Sequence, residues 1–221
     1  MSAQTTSYLE IISHLPADTV VVFNDVDWQE YEQLLNEVGE ERGLRISYCD
    51  GTLTAMTLSP EHESYSDFIK ALVTTLRLRL RVNIRFFGSA TMKKKKRGKG
   101  GEPDACFYVQ SVAVIGNKIQ LDFEKDPPPD IAVEVDIHHD SRSKYPIYAD
   151  LGVPELWRFD GEHLTIHLLE NDTYIEVENS RALPMLSGRV LTEYLGRLRT
   201  DGEFNALIAF DEWLQSNMKR P

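Results

Sequence analysis

Cysteine is nearly absent from this chain. The only two, Cys49 and Cys106 among 221 residues, cannot build a disulfide framework, and their spacing matches no thiolate metal site. No apolar run reaches 18 residues, so no membrane-spanning helix is expected. The opening MSAQTTSYLEIISHLP has neither the basic start nor the apolar block of a secretion signal, which leaves a cytoplasmic, reduced protein as the expectation. Internal repeats and low-complexity linkers are also missing. Acidic residues outnumber basic ones 35 to 24, and the net charge of −11 argues against indiscriminate polyanion binding. What is present suffices for a sizeable core: 42% of residues are hydrophobic and 27% charged, which suits one large domain over residues 1–221.

One segment breaks the acidic balance. KKKKRGK, residues 93–99, places Lys93, Lys94, Lys95, Lys96, Arg97 and Lys99 in seven positions, and without these six charges the rest of the chain would stand at −17. Such runs are usually solvated loops. The sharper reading is a loop that attracts phosphate, lying on the same side of the molecule as the acidic motif EPD that follows it.

The pattern of elements runs helix, hairpin, long helix, strands, helix, strands, helices. A first helix is expected over 27–38. Residues 47–50 and 52–56 read as a hairpin turned by Asp50-Gly51. Ser59 is suited to cap a helix with Pro60 at its first position, and Tyr65, Phe68, Ile69, Leu72, Val73, Leu76 and Leu80 follow at helical spacing. Strands are expected near 84–87, 89–93 and 104–109. Another helix should cover 143–151, stopped by Gly152, before a meander from Glu155 to Val177. Two amphipathic helices within 188–217 close the chain. This is an α/β (α+β) pattern, a mixed sheet flanked by helices, with the first and last helices as additions.

The chemistry concentrates in PPPDIAVEVDIHHDSRSK, residues 127–144. IAVEV reads as a buried strand, and side chains alternate along it, so Ala132, Glu134, Asp136 and His138 share one face. Two carboxylates on one face of a central strand need a cation or a dense set of hydrogen bonds. Asp104, opening a strand after Pro103, lies 30 residues before Glu134. If those strands are neighbours, the two acids meet, and Mg²⁺ (or Mn²⁺) is held by such a pair together with phosphate oxygens and water. Lys144 shares a helical stripe with Ile147, Tyr148 and Leu151, which turns it toward the sheet.

RISYCDGTLTAMTLSPEHE, EPDACFYV, PPPDIAVEVD and the pattern running from Asp140 through LGVPELWRFDG together resemble the Uma2 family of bacterial endonucleases, within the PD-(D/E)XK restriction-endonuclease-like superfamily. The resemblance extends from about Trp28 to beyond Pro184. It implies a restriction-endonuclease-like core, a Mg²⁺-dependent endonuclease activity on nucleic acid (DNA foremost), and Asp104 and Glu134 as catalytic metal ligands. The superfamily lysine two residues after the glutamate is missing here; Asp136 stands in its place, and Lys144 of the following helix takes the lysine's part.

Each residue also has a plainer reading. Asp104 alone would be a turn acid, and Glu134 could form a buried salt bridge with Lys144. Asp136 is either a third metal ligand or a cap for the segment behind it. Glu61, His62 and Tyr148 are candidates for supporting contacts around the acids. His138 and His139 read as loop histidines, and Trp157 as core. A homodimer would suit a nuclease that cuts two strands. The alternatives are a non-catalytic module of the same fold that binds nucleic acid or protein, and a metal-dependent hydrolase of a small phosphorylated compound. A dry site with Lys144 bonded directly to a carboxylate would favour the first.

Overall fold

The computed structural model of the protein describes residues 7–39 and 43–218. Its helices are α1 (Tyr8–Ser13), α2 (Trp28–Val38), α3 (Pro60–Leu80), α4 (Val112–Ile115), α5 (Tyr145–Leu151), α6 (Gly188–Asp201) and α7 (Glu203–Met218). The strands are β1 (Val20–Phe23), β2 (Leu44–Cys49), β3 (Thr52–Thr57), β4 (Arg85–Phe86), β5 (Met92–Lys94), β6 (Lys99–Gly101), β7 (Ala105–Tyr108), β8 (Ile131–Val135), β9 (Glu155–Phe159), β10 (Leu164–Glu170) and β11 (Thr173–Val177).

Local chemistry explains most of these boundaries. Asp27 and Glu30 form a reciprocal capping box at the start of α2. Ser59 accepts from His62 N at the start of α3, with Pro60 in the first turn. Asp50 and Gly51 turn the β2–β3 hairpin with φ of 46° and 92°, the positive pair that a tight two-residue hairpin requires. Gly152, at φ 82°, ends α5 in the left-handed conformation.

The strands form two sheets where the sequence pattern suggested one. The first, β1-β3-β2-β6-β5, is antiparallel throughout. The second, β11-β10-β9-β8-β7-β4, is mixed, with β8 antiparallel to β7 and parallel to β9. Strand β8 is buried on both faces. Ile131, Val133 and Val135 pack with α3 and the C-terminal helices, while Ala132 packs with Ile147, Tyr148 and Leu151 of α5. Leu191, Tyr194 and Leu195 of α6 and Ala206, Phe210 and Leu214 of α7 belong to that same main core, so these helices are built into it. Helix α2 packs instead on the first sheet through Tyr31 and Leu34. Among the described residues no helix is long and apolar enough to cross a membrane.

Candidate functional site

Glu134 sits at the centre of the mixed sheet and is 1% exposed. Lys144, 9% exposed, donates from Nζ to Glu134 Oε2 at 2.8 Å, and the Tyr148 hydroxyl donates to Oε1. The lysine is the last residue of a 3-10 turn (Ser141–Lys144), immediately ahead of α5, and Tyr148 lies one turn further on. Burial, with the nearby charges of Asp104 and Asp136, pushes the Glu134 carboxyl up to about 7 against the pull of Lys144. Burial works against the Lys144 ammonium, but Glu134 and Asp104 outweigh it and raise its pKa.

Asp104 precedes β7. Ala105 pairs with Val133, so one step outward along each strand sets Asp104 opposite Glu134. The Asp104 carboxylate is wholly buried; Oδ2 accepts from Val135 N at 2.8 Å and Oδ1 from Arg45 Nε at 3.1 Å. His62 Nε2 stands 3.1 Å from Oδ2, an ion-pair separation that lacks hydrogen-bond alignment. Burial raises the Asp104 pKa, but His62, Lys144 and Arg45 together bring it below the usual value. For His62, burial lowers the pKa and the Asp104 carboxylate more than restores it, so the net direction is upward.

Three side chains of this cluster lie outside the expected set. Arg45 of β2 binds Asp104 and also reaches Glu63 Oε1 at 3.3 Å and Leu44 O at 3.0 Å. Glu102 accepts from Ile46 N at 2.9 Å and Thr91 Oγ1 at 2.5 Å, tying the EPD motif to the first sheet. Alternation in β2 places Arg45 opposite the face of Leu44, Ile46 and Tyr48, but nothing local marks that second face as buried. Of the acids opening α3, it is Glu63 that reaches the cluster; Glu61, the expected one, is exposed.

Asp136 acts as a cap. Its Oδ2 accepts from Ser141 N and Ser141 Oγ, both at 2.9 Å, and from Arg158 Nε at 2.5 Å. It therefore anchors the turn that presents Lys144, and its engaged oxygen is committed to that task. His139 Nε2 lies 2.7 Å from Asp18 O, and His138 Nε2 lies 4.0 Å from the Asp18 carboxylate, so both histidines face the entry to β1. Trp157 is core, as expected.

The basic run departs from expectation. It forms the β5–β6 hairpin, with a 3-10 turn over Lys95–Arg97. Lys93 pairs with Glu32 at 3.0 Å, Lys94 donates to Leu151 O at 3.0 Å, and buried Lys99 bonds Asp50 at 2.5 Å and Cys49 Sγ at 2.9 Å. Only Lys95, Lys96 and Arg97 are exposed. Their turn adjoins the C-terminal end of α5 and the Asp50 turn, whereas Lys144 and Arg45 occupy the other ends of α5 and β2. At roughly 1.5 Å per helical residue and 3.3 Å per strand residue, that is a separation on the order of 10–16 Å.

A small cleft of about 60 Å³ reaches Glu134, Lys144 and Arg45, walled by Ser47, Thr54 and Ser141. A larger groove of about 540 Å³ lies between β10, β11 and the start of α6, and is lined by neither Asp104 nor Glu134. Of the two candidate acids, Glu134 lines the smaller opening and Asp104 lies buried behind it. Two carboxylates supply the hard oxygen donors that suit Mg²⁺, an ion that keeps several of its waters. Among the described residues no group of three or more His, Cys, Asp or Glu side chains is placed to hold a metal ion. The donor set of two acids fits Mg²⁺, and the oxygens it would use now accept from Arg45, Lys144 and Tyr148.

Comparison with known proteins adds the family. A solved structure described as a "putative nuclease belonging to DUF820" from Anabaena variabilis ATCC 29413 is 14% identical, with a TM-score of 0.48, covering 68% of this chain and 90% of its own. No curated protein matches the chain. A family model described as "Putative restriction endonuclease" matches residues 28–197, which span β2, α3, both acids, Lys144 and most of α6. The chain belongs to the Uma2 family.

Proposed function

We propose that the protein is a nuclease that hydrolyses phosphodiester bonds in nucleic acid, DNA foremost, using a divalent cation held by Asp104 and Glu134. The observation that supports this most is the pairing of two buried carboxylates on adjacent strands, one of them, Glu134, lining a cleft together with Lys144. When bound, Mg²⁺ or Mn²⁺ supplies Lewis acidity toward phosphate and water. Lys144 then acts as a point charge that orients the nucleophile or stabilises charge developing on the phosphate. Tyr148 fixes the Glu134 carboxylate, Val135 N fixes Asp104, and Asp136 with Arg158 fixes the turn ahead of Lys144. Lys95, Lys96 and Arg97 would touch the nucleic-acid backbone away from the point of cleavage. Cutting both strands of a duplex would call for two copies of the site, hence a dimer on the substrate.

A second reading has its own support. Every carboxylate oxygen of Asp104 and Glu134 already has a protein donor, as in a structural ion-pair network of a non-catalytic binding module. A cleavage assay with Mn²⁺ on duplex DNA, single-stranded DNA and RNA separates the two. The nuclease reading expects cleavage by the parent protein and loss of it in Asp104→Ala and Glu134→Ala. Tight binding without cleavage in any metal would establish the module instead.

A further inference from the structure

The two oxygens of Asp104 are not equivalent. Oδ2 is held by Val135 N, a donor fixed in the backbone of β8. Oδ1 accepts from a side chain, Arg45 Nε. Oδ1 is therefore the oxygen able to turn to a cation, and Arg45 already covers it. Arg45 is 6% exposed and comes from the first sheet, yet it lines the same cleft as Glu134 and Lys144.

We infer that Arg45 is an exchangeable stand-in for the divalent cation: it neutralises Asp104 Oδ1 while the ion is absent and must leave that oxygen when the ion binds. This rests on the nuclease reading and adds to it a positioning residue that sets metal affinity. The contact itself supports it. The Arg45 guanidinium is already hydrogen-bonded to Asp104 Oδ1, so a cation that takes this oxygen meets a like charge at close range in a buried site. That approach is costly unless a cation withdraws or an anion enters. A guanidinium released from Asp104 meets the second need, because its planar fork suits a phosphate. Glu63, at 3.3 Å from Nη2 and with a 40% exposed side chain, keeps a partner for the arginine at the edge of the cluster.

The test is Mn²⁺ binding by the full chain, measured by titration calorimetry without nucleic acid. Arg45→Gln should bind Mn²⁺ on the order of tenfold more tightly than the parent, because the competing cation is gone. Arg45→Lys, which keeps the charge but loses the Nε hydrogen bond, should fall between the two. Melting curves establish that each variant is folded, and Arg45→Lys carries the test if the glutamine variant is not. With Ca²⁺ present, duplex DNA binding should tighten in the parent and tighten less in Arg45→Gln. Mn²⁺ affinity that is unchanged or weaker in the folded Arg45 variants, with binding abolished in Asp104→Asn, overturns this inference alone. Mn²⁺ binding that survives Asp104→Asn, or that no variant shows, overturns the nuclease reading and this inference together.

Discussion

Lys144 Nζ and Glu134 Oε2 lie 2.8 Å apart, joining the turn ahead of α5 to the central strand β8 across ten residues of sequence. This pair carries both the transition-state role proposed for the lysine and a large share of the site's electrostatic balance.

Lys144→Ala should therefore lose cleavage and stability together, to different extents. Removing one transition-state donor costs on the order of a hundredfold in rate. Leaving a buried acid unpaired costs about 3–5 kcal/mol, eased wherever Glu134 takes up a proton. The destabilisation should be larger at pH 8 than at pH 6. Melting curves at both pH values and Mn²⁺-dependent cleavage measure the two effects, and a variant that cuts at the parent rate would remove Lys144 from the mechanism.

The raised Glu134 pKa makes a signed prediction of its own. Its folded value of about 7 stands above an ordinary 4.5. Between those values the folded chain holds a proton that the unfolded chain has released, so this group's stabilisation is fully present below 4.5 and is lost as pH rises through 7. The loss amounts to about 3 kcal/mol at most. Glu134→Gln removes the titration and keeps the shape. Parent stability minus variant stability, from urea unfolding, should fall across this window and level off above it; a flat difference would refute the assignment.

The hairpin tip separates two kinds of lysine. Replacing Lys95, Lys96 and Arg97 with glutamine should weaken DNA binding and lower its salt slope by up to about 0.9 for each phosphate no longer neutralised, with little change in melting temperature. Lys99→Ala should do the reverse, because Lys99 is buried against Asp50 and Cys49. Fluorescence anisotropy across a salt series reads the first effect and thermal unfolding the second. An unchanged slope in the triple variant would make the tip a solvated turn.

Gly100 tests how the first sheet packs on α2. A Cβ there would collide with the hydroxyl and ring of Tyr31, which is wholly buried. Gly100→Ala should cost roughly 1–3 kcal/mol, the range for overpacking a filled core. Guanidinium unfolding measures it, and a neutral result would mean that Tyr31 can swing away.

The elements that the sequence marked plainly are those whose cause is local. Ser59-Pro60 starts α3, Asp50-Gly51 turns the β2–β3 hairpin, and the apolar run IAVEV becomes β8, because caps, backbone angles and alternation act within a few residues. The adjacency of the Asp104 and Glu134 strands and the inward turn of Lys144 were also legible, since buried carboxylates on a central strand demand a cation nearby. Partner choice was not. Arg45 meets Asp104 across 59 residues, and Lys99 meets Asp50 across 49. The two neighbouring acids Glu61 and Glu63 point to different surroundings because two residues on a helix differ by more than half a turn. The split into two sheets, the capture of half the basic run and the cap formed by Asp136 arise the same way. A side chain's ion-pair partner is settled by which distant strand packs beside it, and only the tertiary structure decides that.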